Sequence, residues 1–138
     1  MADVLYTSFK RDIMNGAIDL DTDTIKVMLV TSAYTASAAH AKRSDITNEV
    51  TGTGYTAGGA TIGSPTVTNV STTGVFDGAD VSWTTSTITA RGAVLYKSRG
   101  GASSADELIC YFDFGTDKVS TAGTFTIQWN ASGIVVLS

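Results

Sequence analysis

From Thr24 to the end of the chain, apolar residues recur at every second position in short runs separated by turn-forming residues. A period of two belongs to the β-strand, whose successive side chains point to opposite faces. Thr24–Val30 (TIKVMLV) puts Ile25, Val27 and Leu29 on one face and Met28 and Val30 on the other. Both faces then need cover, so this strand is expected in a sheet interior. Ala60–Ser71 alternates Thr with Val, and Pro65 marks a break or an edge. Asp77-Gly78 is a tight-turn pair leading into a strand with Val81 and Trp83 on one side. Ser86–Lys97 is the longest expected strand, and Gly92 within it signals a bulge or a close backbone approach. Glu107–Phe114, Thr124–Trp129 and Gly133–Leu137 complete the series. Seven or eight short strands at this spacing predict an all-β, mainly antiparallel fold, a jelly-roll-like β-sandwich.

A helical period is confined to the N-terminus. Leu5, Phe9 and Ile13 lie four residues apart, Asp3 can accept from first-turn amides, and Asn15-Gly16 supplies a left-handed stop. This spacing predicts a helix over residues 3–15, too short to persist unless its apolar stripe packs on the sheet. Residues 34–59 resist the strand pattern. They are polar and rich in small residues, with at most a helical turn near Ala39–Arg43. Loops of this length carry contacts or function, so 34–59 is expected to be a contact loop. Deleting Val50–Gly59 is expected to leave a folded protein. The 138 residues suit one β-sandwich domain over 1–138.

Charge narrows the partners. The net charge is −4, and the only adjacent basic pairs are Lys10-Arg11 and Lys42-Arg43, so no nucleic-acid partner is expected. No run approaches the roughly eighteen apolar residues of a membrane helix. Lys10, Arg11 and Asp12 stand where a secretory signal would need its apolar core. The single cysteine, Cys110, lies in the apolar run Leu108–Phe112 and reads as an inert buried thiol.

Four motifs hint at chemistry. Gly52-Thr53-Gly54-Tyr55-Thr56-Ala57 fits the dinucleotide-binding pattern, but a polar segment precedes it and Gly58–Pro65 follows where a helix must start. The glycines are expected to permit positive φ in a surface loop instead. Asp19, Asp21 and Asp23 mimic the first ligands of a calcium loop, yet Thr24 and Val30 occupy the positions that need Gly and Glu. They are expected to hydrogen-bond local amides in a turn. His40 is the sole histidine and sits in a polar stretch with no orienting acid beside it, and Glu49 and Glu107 are the only glutamates. No catalytic group, cofactor or metal site is expected. Of Trp83, Trp129, Phe125, Phe112 and Tyr111, most alternate with polar residues along a strand and read as core rather than as a sugar platform. Tyr34 and Tyr55 lack that periodicity and are the expected surface anchors for a partner.

Side by side, several segments resemble small virion structural proteins of tailed bacteriophages. They are Asp23–Leu29, Thr31–Thr35, Val50–Gly59, Ile88–Arg91, Val94–Tyr96, Asp113–Gly115 and Ser120–Trp129. The resemblance spans nearly the whole chain. It implies a head-decoration, or cement, protein: a non-enzymatic subunit that oligomerises as a dimer or trimer on the outer capsid surface. Its partners would be the major capsid protein and itself. A receptor- or glycan-binding module of a tail fibre is the alternative.

Overall fold

The computed structural model describes residues 3–138, which form eight strands and one α-helix. The strands are β1 (Val4–Leu5), β2 (Ile25–Val30), β3 (Ala60–Thr61), β4 (Thr66–Val70), β5 (Thr73–Asp77), β6 (Val81–Lys97), β7 (Leu108–Ile127) and β8 (Val135–Leu137). The helix, α1, covers Thr7–Met14. Every strand pairing is antiparallel, in a five-stranded sheet ordered β1-β7-β6-β2-β3 and a three-stranded sheet ordered β4-β5-β8. The result is an all-β sandwich with a short N-terminal helix, as the period-two runs predict.

Strand β2 lies between β6 and β3, and apolar side chains leave it in both directions. Ile25, Val27 and Leu29 enter the main core with Ala93 and Leu95 of β6, Phe9 of α1, Phe76 of β5 and Val135 of β8. Met28 and Val30 enter a second cluster with Tyr6, Tyr34, Val94, Tyr96, Leu108 and Tyr111. Helix and small sheet therefore cover one face of the large sheet. The other face is covered by the segment after β2, through Tyr34, Ala36 and Ile46.

Two expectations are corrected. The helix does not span 3–15. Val4 and Leu5 pair instead with Tyr111 and Cys110 of β7, and the Asp3 carboxylate accepts the Asp113 N–H at 2.7 Å. Pairing satisfies backbone groups that a first helical turn leaves open, and the edge of β7 was available. Phe9 still points fully into the core, Leu5 and Ile13 pack against it, and Asn15 with Gly16 (φ +79°) ends the helix as expected.

The long strands are also fewer and longer than the sequence pattern suggests. The Val81–Trp83 run and Ser86–Lys97 merge into β6, with register shifts about Ser86. Glu107–Phe114 and Thr124–Trp129 merge into the 20-residue β7 through Gly115–Gly123, while Trp129 falls outside it. That bridging stretch is mostly exposed and polar, so it reads as a turn, yet its backbone pairs with Ser86–Ala90 of β6. Gly92 does mark a register shift, against Tyr111 and Phe112.

Replacing Phe9 by Ala should lower stability by about 3–5 kcal/mol in urea denaturation, because it empties a fully buried site. Met14→Ala, at a residue 86% exposed, should stay within about 0.5 kcal/mol of the parent protein.

Candidate interaction surface

The glycine stretch that mimics a nucleotide loop lies against strands. A Cβ on Gly59 (φ +77°) would collide with the Val27 carbonyl oxygen, and one on Gly54 (φ +82°) would stand 2.8 Å from Ser86 Cα. Three of its amides are engaged: Tyr55 N–H donates to Gly52 O, Gly59 N–H to Thr56 O, and Gly58 N–H to the Glu49 carboxylate. Thr87 N–H donates to Thr53 O, tying the loop to β6. The expected positive φ is present, and close backbone packing is the further reason for glycine here. A phosphate cradle needs free convergent N–H groups. This loop commits three of its own to the fold and packs against β2 and β6.

Tyr34 and Tyr55, the expected surface anchors, are both taken into the fold. Tyr34 is 2% exposed, and its ring stands edge-on to Tyr111 at 5.4 Å. Its hydroxyl lies 2.9 Å from Tyr6 Oη and 2.9 Å from His40 Nδ1. Tyr55 is half-buried against Trp83, accepts the Leu29 N–H at 2.9 Å and donates to Glu49 at 2.7 Å. One hydroxyl thus closes an edge amide of β2 and satisfies a carboxylate. The sequence signal that would have placed them is their partners' chemistry: buried phenols need hydrogen-bond mates, and His40 and Glu49 lie six residues away from each.

The segment expected to be a dispensable contact loop is therefore structural cover. Thr7 N–H donates to Ala38 O, Leu108 N–H to Ala41 O, and Val50 N–H to Leu29 O. Val50 is buried, and a 3-10 turn forms at Arg43–Asp45, just past the helical turn expected near Ala39–Arg43. Removing Val50–Gly59 would uncover the edge of β2 and the core beneath Tyr55.

The remaining polar candidates serve the same end. Asp23 accepts the Asp19 N–H at 2.8 Å and pairs with Lys97 at 2.9 Å, as a turn requires. Asp106, fully buried, is held by Arg43 Nε at 2.7 Å and the Arg99 N–H at 2.8 Å. Glu107 makes a two-pronged pair with Arg99 at 2.7 and 2.6 Å, and the arginine holds its carboxyl below the usual carboxylate range. Burial pushes the Cys110 thiol up, away from reactivity. Among the described residues no three His, Cys, Asp or Glu side chains gather as metal ligands.

The small sheet offers solvent a face rich in Thr and Val, with Asp77 its one charged lining residue. The outer face of the small sheet forms a shallow cavity of about 520 Å³ lined by Thr66, Thr68, Val70, Val75, Asp77 and Val136. Val70 and Val136 are 62% and 48% exposed. A second groove, about 320 Å³, runs between the sheets past Asp3, Phe112, Phe114, Trp129 and Ile134. Phe112 and Trp129 meet there at 52°, and the indole N–H donates to Ala79 O at 2.9 Å. Trp83, Phe125 and Tyr111 are buried, as the alternation predicts. No family model, no curated protein and no solved structure matches the chain.

Gly59→Ala should destabilise by about 3 kcal/mol or more, adding a steric clash to the left-handed strain. Gly100→Ala, with a similar φ but nothing within 4 Å, should show only the strain, about 1–2 kcal/mol in the same denaturation assay.

Burial raises all five tyrosines above their ordinary value, Tyr96 to about 12. A raised folded value means that the neutral phenol stabilises the fold fully below pH of about 10 and that this is lost as pH climbs through the folded values. Tyrosinate absorbance should therefore stay low past pH of about 10 and rise in one step with loss of circular dichroism. Gradual ionisation with the fold intact is the contrary result.

Proposed function

We propose that this protein is a non-enzymatic structural component of a virion, a decoration subunit that binds the outer capsid surface and stabilises the head. One observation supports the reading most: the side chains suited to chemistry are spent on the fold, while the exposed face of the small sheet is built mainly of Thr and Val. His40 is bonded to Tyr34, Glu49 to Tyr55 and Gly58, and Asp106 and Glu107 to arginines. The resemblance to tailed-phage decoration proteins supplies the biological setting, with the major capsid protein as partner.

The mechanism is mass action. A subunit that binds only the assembled shell stabilises it by its own binding free energy, about 2.7 kcal/mol per site at a hundredfold excess over Kd. Because sites repeat over the shell, a subunit that touches two capsomers gains effective concentration for the second contact. A densely hydrogen-bonded sandwich suits this role, since rigid partners spend little free energy on ordering when they bind.

The purified protein should co-sediment with DNA-free capsid shells and raise their disruption temperature in proportion to occupancy. Protein that stays in the supernatant at saturating concentration overturns the proposal. Binding to host cells or polysaccharide in place of shells would point to the tail-fibre alternative.

A further inference from the structure

Strand β4 is an exposed sheet edge whose only protection is Pro65 at its entry. Natural sheets blunt an edge by keeping it short, charging it, bulging it or covering it. Several other edges follow that rule. β1 and β3 have two residues each and β8 has three. The stretch of β7 beyond β1 carries Asp113, Asp117 and Lys118, and Asp3 already accepts the Asp113 N–H. β4, Thr66–Val70, has no charge and no internal proline, and all five of its residues are exposed. It pairs with β5 without a register shift, from Thr66↔Asp77 to Val70↔Thr73.

The hairpin geometry sets which backbone groups face outward. A two-residue turn, Ser71-Thr72, closes on the Val70–Thr73 pair, with Ser71 at φ +55°. In such a primed turn the closing pair is the hydrogen-bonded kind, and bonding then alternates along the ladder. Thr66, Thr68 and Val70 therefore bond to β5, while Val67 and Asn69 aim their N–H and C=O groups at the open edge. Those groups are complementary to another extended strand.

We infer that β4 pairs antiparallel with β4 of a second copy, about a two-fold axis at Thr68. The strand fits itself there. Val67 meets the second copy's Asn69 in both directions, so the four outward N–H and C=O pairs bond mutually. Thr68 faces its own counterpart, and Thr66 faces Val70, side-chain pairs that favour sheet formation. The chain carries −4 overall, yet β4 brings no charge to the axis, so its own copy meets no like charge along the strand. The contact is isologous and closes at two. It joins both small sheets into one of six strands and doubles the Thr/Val face lined by Thr66, Thr68, Val70, Val75 and Val136. The pairing does not depend on capsid attachment.

Sedimentation of the purified protein without capsids tests it. Mass should rise from 14.3 kDa toward twice that value as concentration approaches about 1 mM, the weak end of ordinary association. Exchange of the Val67 and Asn69 amides should slow in step with that rise. Thr68→Lys sets two ammonium groups across the axis, and Asn69→Pro removes an outward N–H without touching the β5 ladder. Both variants should keep the parent circular dichroism and remain monomeric. A parent chain that stays monomeric throughout overturns the inference, as do variants that still dimerise or protection that appears on another edge. Should a variant misfold, amide exchange in the parent chain still separates pairing at β4 from pairing elsewhere or none.

Discussion

The sheet formed by β2, β6 and β7 is apolar on both faces, and removing both from water organises the rest of the molecule. A face built from Val27, Leu29, Ala93 and Leu95 recruits the helix and the small sheet. The opposite face, built from Met28, Val30, Val94, Tyr96 and Tyr111, has no second sheet available. A long irregular segment covers it instead. Irregular backbone can be laid over apolar surface only if its polar groups find partners. Here they find them in β2, in the start of β7, and in Glu49 and the tyrosine hydroxyls.

That requirement explains features that otherwise look functional. Glycines stand where the segment's backbone must approach the strands more closely than a Cβ permits. Tyr55 is long enough to cross from the segment to the Leu29 amide, and Tyr34 to reach both Tyr6 and His40. The buried acids follow the same logic. Asp106 and Glu107 lie at the start of β7, where the chain enters the sheet, and each is held by an arginine. A buried carboxylate without such a partner would be strongly destabilising. These charges are structural fasteners.

With its buried acids and tyrosine hydroxyls partnered inside, the molecule presents an open strand edge at β4 and a Thr/Val face on the small sheet to its surroundings. Such surfaces recognise other polypeptide by shape and main-chain hydrogen bonding. The proposed self-pairing and the proposed attachment to a protein shell draw on that same chemistry, and a paired subunit would meet a shell with two copies of each contact. Rigidity matters for both roles.

How much was legible in the chain itself follows from which interactions are local. Period-two alternation determined the all-β class and the two-faced interior strand at β2. It also determined the burial of Trp83, Phe125 and Cys110, as the four-residue spacing did for Phe9, because side-chain direction along a strand or helix depends only on neighbours in sequence. The stop at Asn15-Gly16 and the aspartate turn before β2 are local in the same sense. The merging of polar stretches into β6 and β7, the diversion of Val4 and Leu5 from the helix into the sheet, and the inward turn of Tyr34 and Tyr55 were decided only in three dimensions. Each depends on a partner far along the chain: Lys118 for Ala90, Tyr111 for Val4, Tyr6 for Tyr34, Leu29 for Tyr55. A backbone amide or phenol carries no mark in sequence of the distant group that will satisfy it. Composition could show that 34–59 is polar, but only the tertiary fold could make it a lid over an apolar face, because the need for that lid arises once the sheet has formed.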